Sequence, residues 1–313
     1  MIILRQYTFS KKENKDSEKD EKSLKRKALE LGAGLGVGIG VSGINNIGRR
    51  IGQGALMKKA DEIRLSEEEN SKLKSALKKQ AKDQGTKIVE FPDLDNSMAT
   101  EGGIIARSLH KLLNKYPELR EDFKKSDPTT EHIGTDTIIL GKGKKSDADV
   151  LAHELGHTQF THRKRSKNFI AKAAHEISGL SRLGTSNKAN VLYAASGFKN
   201  GLKSAKAKAE GKKEKTWDKI KSVAVPALVS APMLITEASA TGKGLKMLKN
   251  AGASKESMKQ AKKALGAALG AYALQAGGSI ASGYAGRLIG KAVGKKKYKY
   301  KNKNKEEKNK KES

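Results

Sequence analysis

The segment "DADVLAHELGHTQFTH", residues 147–162, decides how the rest of the chain is read. It sets His153 and His157 four positions apart, with Glu154 between them. A helix turns about 100° per residue, so positions i and i+4 are offset by only about 40° and project from one face. Two imidazoles so placed can share one metal ion. Glu154, beside His153, can reach a metal-bound water without being a ligand, and can take its proton to make a nucleophile for a peptide carbonyl. The chain has no cysteine, so thiolate sites and disulfides are excluded and any metal is held by His and carboxylate. Zinc is the cofactor this donor set predicts.

The surroundings of the segment support a helix. Ser146 is the expected N-cap, and Asp147 and Asp149 fall where the helix dipole is positive. Leu151, Ala152 and Leu155 supply the buried side, and Gly156 a surface for close packing. Upstream, "DTIILG" (136–141) reads as a strand and is expected to be the edge strand that pairs with an extended peptide. "TKIVEF" (86–91) reads as a second strand, closed by Pro92. "LSEEENSKLKSALKKQAKDQG" (65–85) reads as a helix with a Ser66/Glu69 capping box and a stop at Gly85. "IIARSLHKLLNKY" (104–116) has helical apolar spacing. Residues 167–215 predict two or three helices broken near 184–187 and at Gly211. Residues 217–252 predict a long apolar helical segment that Pro226 and Pro232 kink or interrupt.

The third ligand fixes the type of site. A third His six residues past the second would stand at 163, where the chain has Arg163, with His162 one place off. A carboxylate from another helix is therefore required. The intervening candidates are Glu176, Glu210, Glu214, Asp218 and Glu237, of which Glu210 and Glu214 lie in a Lys-rich run. Glu176, in "AAHEISGL", and Glu237, in "MLITEASATGKGL", remain. Glu237 is favoured, because a lone carboxylate on an apolar helix needs a partner.

Three separated motifs resemble the HtpX-like and CAAX-prenyl-protease group of gluzincin zinc metallopeptidases. "NSMAT" (96–100) stands where that family has an Asn-Ala-Phe-Ala element, "HELGH" (153–157) resembles its zinc helix, and "EASAT" (237–241) stands where it has a Glu-x-x-Ala-Asp motif. The resemblance covers about 86–252. It implies His153, His157 and Glu237 as metal ligands, Glu154 as catalytic base, and peptide-bond hydrolysis in a protein or peptide substrate. The implied fold is α+β and mostly helical, a zincin-like core with a small sheet edging the cleft. Thr241 replaces the family's Asp, and Ser97 and Met98 replace Ala and Phe. Residues 104–133 are an insertion. The basic group for the oxyanion has only Lys243 and Arg287 as candidates.

The ends of the chain differ from its middle. Residues 1–30 and 295–313 are Lys-rich and read as disordered tails, with no secretory signal expected at the start. The segments 31–56 and 263–294 are Gly- and Ala-rich. Within them 31–48 and 264–286 are uncharged and are candidate membrane helices. The peptidase domain is expected over 57–262. The net charge is +30, which implies an anionic partner. Aromatic residues are only 4%, which leaves few platforms for stacking on bases and disfavours nucleic acid. An anionic membrane surface is the expected partner, with the catalytic domain cytoplasmic. The competing expectation is a membrane-active or assembly protein whose peptidase core is degenerate.

Overall fold

The computed structural model of the protein describes residues 11–91, 93–94, 97–100, 103–133, 135–161 and 168–312. The readings that fell on residues 1–10, Pro92, Asn96 and 162–167, among them His162 and Arg163, lie outside these. The chain is mostly helical with one small sheet. In order it forms α1 (Lys11–Glu62), α2 (Glu67–Asp83), β1 (Lys87–Glu90), β2 (Met98–Ala99), α3 (Ile104–Lys115), α4 (Pro117–Ser126), β3 (Thr137–Leu140), α5 (Ala148–Thr161), α6 (Phe169–Gly184), α7 (Asn187–Ala209), α8 (Thr216–Asn250) and α9 (Lys255–Glu312). The segments 11–30 and 295–312, expected as tails, continue α1 and α9 as helix. Lys and Glu are good helix formers, so each charged run can continue its helix.

The described residues divide into two compact units. One is built from Ile44–Asn190 and Val223–Ala281. The other combines the chain up to Gly43 with Val191–Ser222 and the chain from Ser282 onward. Residues 191–222, which lie inside the expected 57–262 domain, group with the outer parts of α1 and α9.

In the first unit the sheet has the order β1-β3-β2. β3 runs parallel to β1, with Ile138 opposite Ile88, and antiparallel to β2, with Ile139 opposite Met98. All four residues of β3 are buried, as a central strand requires. The expectation that 136–141 is the edge strand is thus corrected: β3 is central and β1 and β2 are the edges, β2 lying inside the motif "NSMAT". The core joins Leu73 and Leu77 of α2, Ile138 and Leu140 of β3, Leu151 and Leu155 of α5, and Leu248 of α8.

Local signals mostly do what their chemistry dictates. Ser66 Oγ accepts from the Glu69 N–H at 3.4 Å, and Gly85 ends α2 at φ +74°. The Glu69 carboxylate does not close the capping box. It accepts instead from the Ser254 N–H at 2.6 Å and the Ser254 hydroxyl at 2.9 Å, tying α2 to the start of α9. α5 begins one residue later than expected, with Asp147 rather than Ser146 before its first residue. Its first N–H, from Ala148, goes to the side-chain oxygen of Asn70 at 2.7 Å. Lys144 Nζ lies 2.8 Å from both oxygens of Asp149, and the pair is buried against the start of α5.

Pro226 and Pro232 do not interrupt α8. Ser181 of α6 inserts into its backbone ladder: the Ser181 hydroxyl donates to the Val229 carbonyl at 2.5 Å and accepts from the Met233 N–H at 3.2 Å. A rung strained by the neighbouring proline is replaced by a side chain from another helix, so the helix continues. Among the described residues α8 is the one helix long and apolar enough to cross a membrane, with a mean hydropathy of 1.5 over its most apolar window. The two segments expected in that role, 31–48 and 264–286, lie within α1 and α9.

In the second unit the Gly spacing serves backbone contact between helices. A Cβ on Gly286 would meet the Ala194 carbonyl oxygen at 2.0 Å, and one on Gly290 would meet that of Phe198 at 2.0 Å. Arg287, between them, donates to Glu214 at 2.8 Å, and Ser204 donates to the other oxygen of Glu214 at 2.9 Å. Gly290→Leu is expected to lower stability by about 1–3 kcal/mol, because α7 and α9 must move apart. A lowered melting temperature checks this, and an unchanged one would show the contact to be slack.

Candidate metal centre

Two helices of the first unit meet at this site, α5 and α8. The i, i+4 spacing of α5 puts His153 and His157 on one face, with Nε2 atoms 3.2 Å apart. α8 brings Glu237 to them, with Oε2 3.3 Å from the His153 Nε2 and 3.4 Å from the His157 Nε2. Glu237 is 1% exposed. Its Oε2 is buried and accepts no hydrogen bond, while Oε1 accepts from Arg182 of α6 at 2.6 Å.

These three side chains form a group that could hold a metal ion. Ligands about 2.0–2.1 Å from a tetrahedral zinc lie about 3.3 Å from one another, which is the spacing found here. A buried carboxylate oxygen that faces two imidazole nitrogens at 3.3 and 3.4 Å needs a positive partner, and one cation shared by the three groups supplies it. The donor set therefore fits zinc. Of the two carboxylates left open by the sequence, Glu237 stands at the histidines. Glu176 instead pairs with Arg107 of α3 through both of its oxygens.

The supporting side chains are ordered around this group. Thr241 Oγ1 lies 3.2 Å from the His153 Nδ1. The residue that departs from the resembled motif still reaches the outer nitrogen of a ligand histidine, where a hydrogen bond orients the ring. Thr241→Ala is expected to weaken metal affinity by about 10–100-fold with little change in fold. A metal titration against a competing chelator measures it, and an unchanged affinity would remove Thr241 from the site.

Glu154 is buried on the same face, and its Oε2 accepts from the Ala99 N–H of β2 at 2.8 Å. The outer edge of β2 therefore faces the site. His175 of α6 stands near His157, with ring centroids 6.3 Å apart. A cavity of about 310 Å³ opens over the group. Met98, Ala99, Gly103, Ala106, Leu109 and Ile133 give it an apolar side, and His153, Glu154, His157, Arg182 and Tyr272 a polar one.

The electrostatics follow from burial and pairing. Burial pushes the Glu237 carboxyl up, but His157, His153 and Arg182 outweigh it and hold the carboxyl well below its usual range. For His153, burial opposes the charged form, yet Glu237 and Glu154 prevail and raise its pKa. The Tyr272 phenol is pushed up, first by burial and then by Glu237, so it stays protonated and remains a donor.

Sequence reasoning missed Arg182 and Tyr272. Neither oxyanion candidate that it named is at the site. Lys243 lies over the Phe160 ring at 4.2 Å, and Arg287 pairs with Glu214 in the other unit. Compared with known proteins, the chain matches no family model, no curated protein and no solved structure.

Proposed function

We propose that the protein is a zinc-dependent metallopeptidase of the gluzincin type, similar to the HtpX-like and CAAX-prenyl-protease group, with a zincin-like core. The observation that carries this reading is the triangle of His153 Nε2, His157 Nε2 and Glu237 Oε2, with sides of 3.2, 3.3 and 3.4 Å. His153, His157 and Glu237 would hold the ion. Bound zinc supplies a water of lowered pKa and a Lewis acid for the carbonyl.

The chain's own groups supply the rest. Glu154 accepts a proton at Oε1, because Oε2 is held by the Ala99 N–H, and returns it to the leaving amine. The edge of β2 aligns an extended peptide along the cleft, as an added strand does. Tyr272, protonated in its buried place, donates a hydrogen bond to the carbonyl oxygen as charge builds on it. Arg182 fixes Glu237 by holding Oε1.

The test uses the purified full chain refilled with zinc. One zinc per chain, lost in Glu237→Ala and kept in Glu176→Ala, together with chelator-reversible cleavage of an unfolded protein, is the expected result. Zinc retained in Glu237→Ala would refute the ligand set. Bound zinc with no cleavage of any unfolded substrate would make the site a structural one, in an assembly protein with a degenerate core.

A further inference from the structure

The opposite face of α6 has no part in the metal centre. His175, Glu176, Ser178, Gly179 and Arg182 line the cavity, while Phe169, Ile170, Ile177, Leu180 and Leu183 point outward and are 44–80% exposed. At about 100° per residue these five fall within an arc of about 140°, an apolar stripe along the helix whose one charged member, Glu176, is paired with Arg107. Val225 and Leu228 of α8, which packs on α6 through Ser181, are exposed as well. Exposed apolar surface of this extent marks an interaction site rather than ordinary scatter.

Apart from Glu176, the charged residues on the helix and just past it are basic: Lys172, Arg182 and Lys188. Between Glu154 and Glu210 the sole acidic residue is Glu176, and Arg107 neutralises it. An apolar stripe bordered by basic residues, and free of unpaired acid, is complementary to an anionic lipid surface: the stripe enters the acyl boundary and the cations meet the headgroups.

We infer that α6 is a membrane-docking helix, which lies in the interface of an anionic bilayer and sets the cleft on its inner face beside that surface. The inference does not rest on the peptidase reading, since neither zinc nor hydrolysis enters its test.

Trp217 is the chain's only tryptophan. In the full chain, Trp217→Phe combined with Phe169→Trp moves the single reporter onto the stripe. With vesicles of phosphatidylglycerol and phosphatidylcholine carrying brominated acyl chains, the reporter should shift to the blue and be quenched by about half or more. Pure phosphatidylcholine should leave it unchanged. Leu180→Asp in the same background should weaken vesicle affinity about tenfold or more, since a charge replaces buried apolar area.

The Lys-rich ends also attract such vesicles, but they would bind without inserting Trp at 169. Binding with no quenching therefore overturns the inference, as does an affinity that Leu180→Asp leaves unchanged. A lipid-free dimer that Leu180→Asp splits overturns it too, because the stripe would then be covered by a second copy of the chain. Circular dichroism confirms that the substitutions, all on an exposed face, leave the fold intact.

Discussion

Glu154→Gln is expected to lower peptide hydrolysis by about 10²–10⁴-fold while leaving one zinc per chain. Glutamine has nearly the shape of glutamate, and its side-chain carbonyl can keep the hydrogen bond from the Ala99 N–H, which Glu154 Oε2 accepts at 2.8 Å. What disappears is the second oxygen as a proton acceptor. The ligands are untouched, since His153, His157 and Glu237 make the triangle without Glu154. Burial sharpens the contrast: Glu154 is 8% exposed, so bulk water does not readily replace the missing base. The two measurements are kcat on an unfolded substrate and metal content of the same preparation. A variant that keeps a tenth or more of the activity removes Glu154 from the chemistry. One that loses zinc in parallel makes Glu154 a structural support of the site.

The parts of this site legible in the sequence are those with a local or chemical signature. The i, i+4 histidines declare their common face through helix geometry alone. Glu237 declares itself as the one carboxylate of an apolar stretch, a position that makes sense only with a partner. The parts that were not legible depend on distant residues. β2 is two residues long, too short for strand alternation, so the edge role fell to the more apolar 136–141. α8 runs on past Pro232 with Ser181, far away in the chain, filling the neighbouring Val229–Met233 rung. Tyr272 and Arg182 sit on helices whose pattern reports packing, and nothing near them in sequence points to the metal group. Glu69 was read as a capping residue from its spacing, yet its carboxylate serves a helix start 185 residues on.

Gly156→Val is expected to unseat the metal centre from outside it. α5 and α8 cross through two small residues on each: Ala152 and Gly156 on one, Ala240 and Gly244 on the other. A Cβ on Gly156 would lie 2.2 Å from the Ala240 carbonyl oxygen, and one on Gly244 would lie 2.7 Å from that of Ala152. The contact is reciprocal and involves backbone, so no flexible side chain can give way. Glu237 lies one turn before Ala240, and His153 and His157 flank Gly156 on α5. The distance between the helix axes therefore sets the 3.3 and 3.4 Å separations that a single ion requires. Valine forces the axes apart at a cost of about 1–3 kcal/mol for overpacking. The larger effect falls on the metal, because a ligand displaced by about 1 Å is outside the tolerance of a zinc–oxygen bond. Gly156→Val should show a lowered melting temperature that added zinc no longer raises, with zinc content well below one per chain. Gly156→Ala should fall between it and the unaltered protein. If Gly156→Val kept both its melting temperature and its zinc, the close crossing would not be what holds Glu237 at the histidines, and the triangle would have to owe its spacing to Arg182 and Thr241 instead.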